Sequence, residues 1–145
     1  DNIVYGLERE VSEEEIIAAA KSANCYDFIM EKPAGFDEDV GLGGSNFSGG
    51  QGQCICIARA MLRNADILLL DEATSNLDVT STALVSEAMD NLMKDRTTVM
   101  IAHSFAATKN ADYVIVMREG TVEAAGTPDE LEKTNEYYKL FSKSL

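Results

Sequence analysis

The spacing of apolar residues changes several times along the chain, and each change predicts an element. Ile16, Ile17 and the alanines at 18–20 follow Ser12-Glu13-Glu14-Glu15, a capping serine with a glutamate three residues on. That capping-box pattern predicts a helix starting near Glu13. A second, short helix is predicted over Tyr26 to Met30, broken by Pro33-Ala34-Gly35. Glycines then crowd the stretch from Gly41 to Gly52, and behind them Cys54, Ile57, Ala58, Met61 and Leu62 recur at helical spacing. A loop is expected to feed a helix N-terminus there.

Ile67-Leu68-Leu69-Leu70 is an unbroken aliphatic run ending in Asp71-Glu72, which predicts a strand buried on both faces with carboxylates at its C-terminal end. Leu84, Val85, Ala88, Met89 and Leu92 mark an amphipathic helix, and Thr98 to Ala102 a second strand that ends at His103. Strand, helix, strand predicts a right-handed parallel crossover. Tyr113 to Met117 and Thr121 to Ala125 flank Arg118-Glu119-Gly120 and predict an antiparallel hairpin. Thr127-Pro128-Asp129-Glu130 supplies a cap, a proline at the first helical position and a capping-box acid, opening a helical tail.

Composition narrows the class. A chain of 145 residues that is 46% hydrophobic holds one ordinary globular domain, or part of one, and it has no internal repeat or low-complexity linker. Its net charge of -13 argues against a nucleic-acid partner but not against a local anion site built from backbone amides. Cys25, Cys54 and Cys56 are odd in number and sit in segments that read as apolar helix faces. Buried free thiols in a reducing, intracellular compartment are expected, rather than a metal site, because the chain has a single histidine. No run approaches the ~18 apolar residues of a membrane span, so a soluble chain without direct membrane insertion is expected.

Three places carry candidate chemistry. Phe47-Ser48-Gly49-Gly50-Gln51 puts a hydroxyl and side-chain-free backbone at a helix start, an anion-binding arrangement that would also serve as a plain glycine-rich cap. Asp71 and Glu72 offer one carboxylate for a hydrated magnesium and one to orient or deprotonate water; the plainer reading is a strand ending in a helix-capping acid. His103 closes the next parallel strand, so it is expected at the same sheet edge, where open α/β sheets place their ligands.

Taken together these residues resemble the ABC ATPase family. Phe-Ser-Gly-Gly-Gln matches its signature, Ile-Leu-Leu-Leu-Asp-Glu its Walker B strand, Ser75-Asn76-Leu77-Asp78 its D-loop and Ala102-His103 its switch histidine. Asn2 to Gly6 and Asp39-Val40-Gly41 with Gly44 are similar to the post-Q-loop segment and the X-loop of exporters with fused membrane segments. The resemblance implies an α/β fold: part of a RecA-like P-loop NTPase, with a parallel sheet core, a helical signature subdomain over residues 7–63, and a C-terminal part of the catalytic core with an antiparallel hairpin over 64–145.

It also implies roles. Asp71 would position magnesium, Glu72 would polarise the attacking water, and His103 would contact the γ-phosphate. Ser48, Gly49 and Gly50, with Gln51, would face ATP held by an opposing subunit, and Ser75 and Asp78 would link the two sites. The implied cofactors are ATP and Mg2+. The implied partners are a second nucleotide-binding domain and the coupling helices of a transmembrane domain, at the cytoplasmic face of a cell membrane. The chain departs from the family at Gly52 and Cys54, where arginines are usual, at Leu42 in place of the X-loop glutamate, and at Ser104-Phe105-Ala106-Ala107.

No Gly-Lys-Ser or Gly-Lys-Thr Walker A loop is present in this sequence. Without its amides and lysine the β- and γ-phosphates lose their main cradle, so the chain is expected to be a fragment, inactive alone, whose parent hydrolyses ATP. A central strand would be missing between the strand ending at His103 and that at Tyr113 to Met117. Two other readings compete: a stand-alone regulatory module pairing with a complete subunit, and the C-terminal lobe of an SMC-like ATPase, against which the transporter-like segments argue.

Overall fold

The computed structural model describes residues 2–71, 77–102 and 104–143, which form two compact units divided between Val99 and Met100. The first unit contains α1 (Glu13–Ser22), α2 (Tyr26–Met30), α3 (Gly49–Arg63), β1 (Ile67–Asp71), α4 (Val79–Met93) and the start of β2 (Thr97–Ile101). The predicted capping box opens α1: Glu15 N donates to Ser12 Oγ at 3.2 Å and Ser12 N to Glu15 Oε2 at 3.0 Å. Both groups satisfy amides that the first helical turn leaves without partners.

α3 lies between α1 and α4. Ala20, Ala23, Ala58 and Ala88 are fully buried where these helices meet, with Cys25, Cys54, Ile57, Val85 and Leu92 filling the remaining core. Small side chains let the backbones approach closely, and the long side chains interdigitate around them. Two asparagines tie the end of α1 to α4. Asn91 Nδ2 donates to the Ser22 carbonyl at 3.0 Å, and Asn24 Nδ2 to the Leu84 carbonyl at 3.2 Å and Glu87 Oε2 at 2.9 Å.

β1 and β2 form a two-stranded parallel sheet, joined near its start by Thr97 N donating to the Asp66 carbonyl at 3.0 Å. The expectation of a strand buried on both faces is corrected here. Leu68 is 6% exposed, but Ile67 is 62% and Leu69 78% exposed. Successive side chains of a strand point to opposite faces, and the helical core covers only the face of Leu68. Cys56 also departs from its expected burial and is exposed. Two residues along a helix is a rotation of about 200°, so the face that buries Cys54 turns Cys56 outward.

The second unit contains α5 (Phe105–Thr108), β3 (Val114–Arg118), β4 (Thr121–Gly126), α6 (Pro128–Thr134) and α7 (Glu136–Phe141). β3 and β4 form the predicted antiparallel hairpin, in register from Val114 opposite Gly126 to Arg118 opposite Thr121, with an irregularity between Val116 and Met117. Its loop is Glu119-Gly120, with φ of 50° and 76°. Two successive positive φ values match the twist of the flanking strands, and glycine takes the second at no steric cost. Thr127 caps α6 with Glu130 in a second capping box and Pro128 in the first turn. A small core of Val116, Leu131 and Tyr138 holds this unit, with the Tyr138 hydroxyl 3.0 Å from Thr108 Oγ1. Among the described residues β3 and β4 pair only with each other.

Candidate functional site

The Phe47 to Gln51 segment is built from both sides. The Phe47 ring packs edge-on against Phe28 at 6.0 Å, and Lys32 Nζ lies 4.9 Å from its centre while donating to the Asn46 carbonyl at 2.9 Å. Asn46 closes the preceding loop, its Nδ2 donating to the Asp39 carbonyl at 2.8 Å and its backbone N to the Val40 carbonyl at 3.1 Å. Leu42, in the same loop, is 98% exposed.

Ser48 is the N-cap of α3. Gln51 N donates to Ser48 Oγ at 3.3 Å, and Ser48 N donates to Gln51 Oε1 at 3.0 Å. The signature-like motif is thus a capping box, and the amides of Gly49 and Gly50 remain in the first turn, where helix geometry provides no acceptor. With Ser48 exposed beside them at the positive end of a long helix, these groups fit an anionic oxygen. Gly50 is buried for a separate reason: a Cβ there would lie 2.5 Å from Ser81 Cβ and 2.7 Å from Ser81 Oγ.

Asp78 caps α4. Its Oδ1 accepts from Thr80 N and Ser81 N, both at 3.0 Å, and its Oδ2 accepts from Ser81 Oγ at 2.5 Å. The Ser81 hydroxyl, followed by the backbone amides, holds this carboxyl below the usual carboxylate range. The structure therefore brings Ser48, Gly49, Gly50 and Gln51 at the start of α3 to Asp78 at the start of α4, with Leu77 Cδ2 3.9 Å from a Cβ placed on Gly49.

Asp71 ends β1 with its side chain exposed. Glu72, Ser75 and His103 lie outside the described residues, so only one member of the carboxylate pair is placed. Sequence reading missed Ser81 and the pairing of Ser48 with Gln51. The signals were there: Ser-x-x-Gln at 48–51 and Asp-x-x-Ser at 78–81 both have capping spacing.

Residues 5–75 match the family model for the ABC transporter. An ATP-dependent lipid A-core flippase of Methylobacillus flagellatus is 47% identical over 100% of this chain, which covers 25% of that protein. An ABC-type transporter of Aspergillus fumigatus is 49% identical over 98% of the chain and 11% of its own length. Among solved structures, a bacterial Atm1-family ABC exporter with ATP bound aligns over 97% of the chain and 24% of its own, at a TM-score of 0.83 and 36% identity. The chain thus spans about a quarter or less of the relatives it matches. Signature helix, parallel strand pair, hairpin and these likenesses agree that this chain belongs to the ABC transporter family, as part of its ATPase domain.

Proposed function

We propose that the whole protein binds and hydrolyses ATP as a pair of nucleotide-binding domains and uses that cycle to drive export across a membrane, with this chain on its cytoplasmic face. The observation that carries this reading is the capped start of α3, where the exposed Ser48 hydroxyl and the first-turn amides of Gly49 and Gly50 converge. They would hold the γ-phosphate of ATP bound to the opposing domain, and Gln51 would keep the hydroxyl oriented. Residues 7–63 would act as the helical subdomain and 64–145 as part of the catalytic core.

No three metal-ligating groups converge among the described residues. Asp71 would hold a magnesium ion through its bound waters, since this ion dehydrates reluctantly. When bound, it neutralises charge on the transferring phosphoryl group. Glu72 follows Asp71 directly and would accept the proton of the attacking water; His103 would hold the γ-phosphate from the next strand. Ser75 and Asp78 would join the two sites across the dimer, and the Asp39 to Gly44 loop would face the coupling helices. Lacking a Walker A loop, this chain alone would not turn over ATP.

Glu72→Gln in the full-length transporter tests the reading. A general base contributes roughly 10²–10⁴-fold, so ATP turnover is expected to fall by at least about a hundredfold while ATP binding survives. Turnover at the unmodified rate would remove Glu72 from the mechanism.

A further inference from the structure

Lys32 reaches the two residues that lead the chain into α3. Its own backbone is held on both sides: its N donates to the Ile29 carbonyl at 3.1 Å, and its carbonyl accepts from Gly35 N at 3.0 Å. Ile29 is buried in the helical core, so the Lys32 side chain starts from a fixed point. Its ammonium donates to the Asn46 carbonyl at 2.9 Å and lies 4.9 Å from the centre of the Phe47 ring, within the roughly 6 Å over which a ring face attracts a cation. One charge thus touches two consecutive residues, and the next is Ser48, the N-cap of α3.

The way the chain enters α3 needs such a support. Ser48 is extended, with φ -66° and ψ 163°, so the hydrogen bonds of the helix do not dictate its direction of entry. In many helices that direction is fixed by an apolar residue before the cap packing on the side chain four positions after the cap. Here those positions are Phe47 and Gly52. Gly52 has no side chain to offer, and a Cβ there would meet nothing within 4 Å. Phe47 is held instead from α2 and the turn after it, by the Phe28 ring and by Lys32.

We propose that Lys32 is a positioning residue for ATP binding: by fixing Asn46 and Phe47 it sets the direction in which the Ser48 hydroxyl and the Gly49 and Gly50 amides point. The inference rests on the reading of that turn as a γ-phosphate contact, and ATP kinetics of the full-length transporter test it. Lys32→Met keeps the length of the side chain but loses charge and donors, and is expected to raise KM for ATP roughly threefold to tenfold with a smaller change in kcat. Lys32→Arg retains charge, donors and attraction to the ring, and is expected to stay within about twofold of the parent. Lys21→Met is the control for net charge, since Lys21 makes the same kind of contact, 4.9 Å from the centre of the Tyr26 ring, away from the turn; its KM is expected to match the parent. A general loss of folding lowers kcat with the active fraction and leaves KM in place. An unchanged KM in Lys32→Met, or an equal rise in Lys32→Arg or Lys21→Met, overturns the proposal. Ser48→Ala run in parallel identifies which idea has failed. If it raises KM while Lys32→Met does not, only the positioning role is lost; if it leaves KM unchanged, the phosphate-contact reading falls and the role of Lys32 with it.

Discussion

Cys54 and Cys56 sit on one helix and differ in almost everything that governs thiol chemistry. Cys54 and Cys25 are buried in the same core; burial pushes the Cys25 thiol up to about 12 and raises that of Cys54, because a thiolate cannot be solvated there. Cys56 is exposed. Since the thiolate is the nucleophile, a maleimide reagent at mildly alkaline pH is expected to modify Cys56 alone in the native chain, and Cys25 and Cys54 only after denaturant is added. Mass mapping of the modified sites checks this, and fast native labelling of Cys25 would contradict the packing. Sequence periodicity predicted a helix here with apolar Cys54, but an isolated Cys-x-Cys does not say which sulfur faces the core. Phase relative to Ile57 and Ala58 decides it.

Helix starts were the most legible elements. Ser12, Thr127 and Asp78 cap their helices through side-chain oxygens, and the boxes at Ser12 and Thr127 were predicted from spacing alone. A cap is a contact between neighbours in sequence, so no tertiary information is needed to foresee it. Thr127→Ala is expected to destabilise the C-terminal unit by about 1 kcal/mol, measured by denaturant unfolding followed by circular dichroism. Glu15, Asp78 and Glu130 all have carboxyls held below their ordinary values, Glu15 first by the Arg9 guanidinium and then by its cap, Asp78 and Glu130 by the hydrogen bonds of theirs. A lowered carboxyl stabilises the fold while ionised. This contribution is therefore full above the unfolded values near about pH 4 and lost as the pH falls through the lower folded values. Stability is expected to be flat at neutral pH with a decline in acid, and Glu130→Gln should make that decline shallower. The irregularity between Val116 and Met117 had no comparable local signal, because register depends on both strands at once.

At the scale of the molecule, sheet faces are where the chain departs most from its sequence pattern. Ile67, Leu69, Val99 and Ile101 on β1 and β2, and Ile115, Met117 and Val122 on the hairpin, are all exposed. An apolar strand surface with open backbone edges invites pairing and association. The chain by itself is expected to self-associate at micromolar concentration and to bind an apolar dye. Leu69→Lys should reduce both, as read by light scattering and fluorescence, without altering its helical circular dichroism. Unchanged association in that variant would locate the sticky surface elsewhere.

The sequence by itself determined the order of helices and strands, the caps and the hairpin, because each depends on neighbours a few positions away. It read a full aliphatic run as a strand buried on both faces, since the run records what the strand is suited to, not what covers it in this chain. Only the tertiary structure decided which face of β1 the helices fill and that Ser81 stands between Gly50 and Asp78. Those outcomes depend on how α3 and α4 pack against one another, and a contact between residues 50 and 81 has no signature in either local pattern.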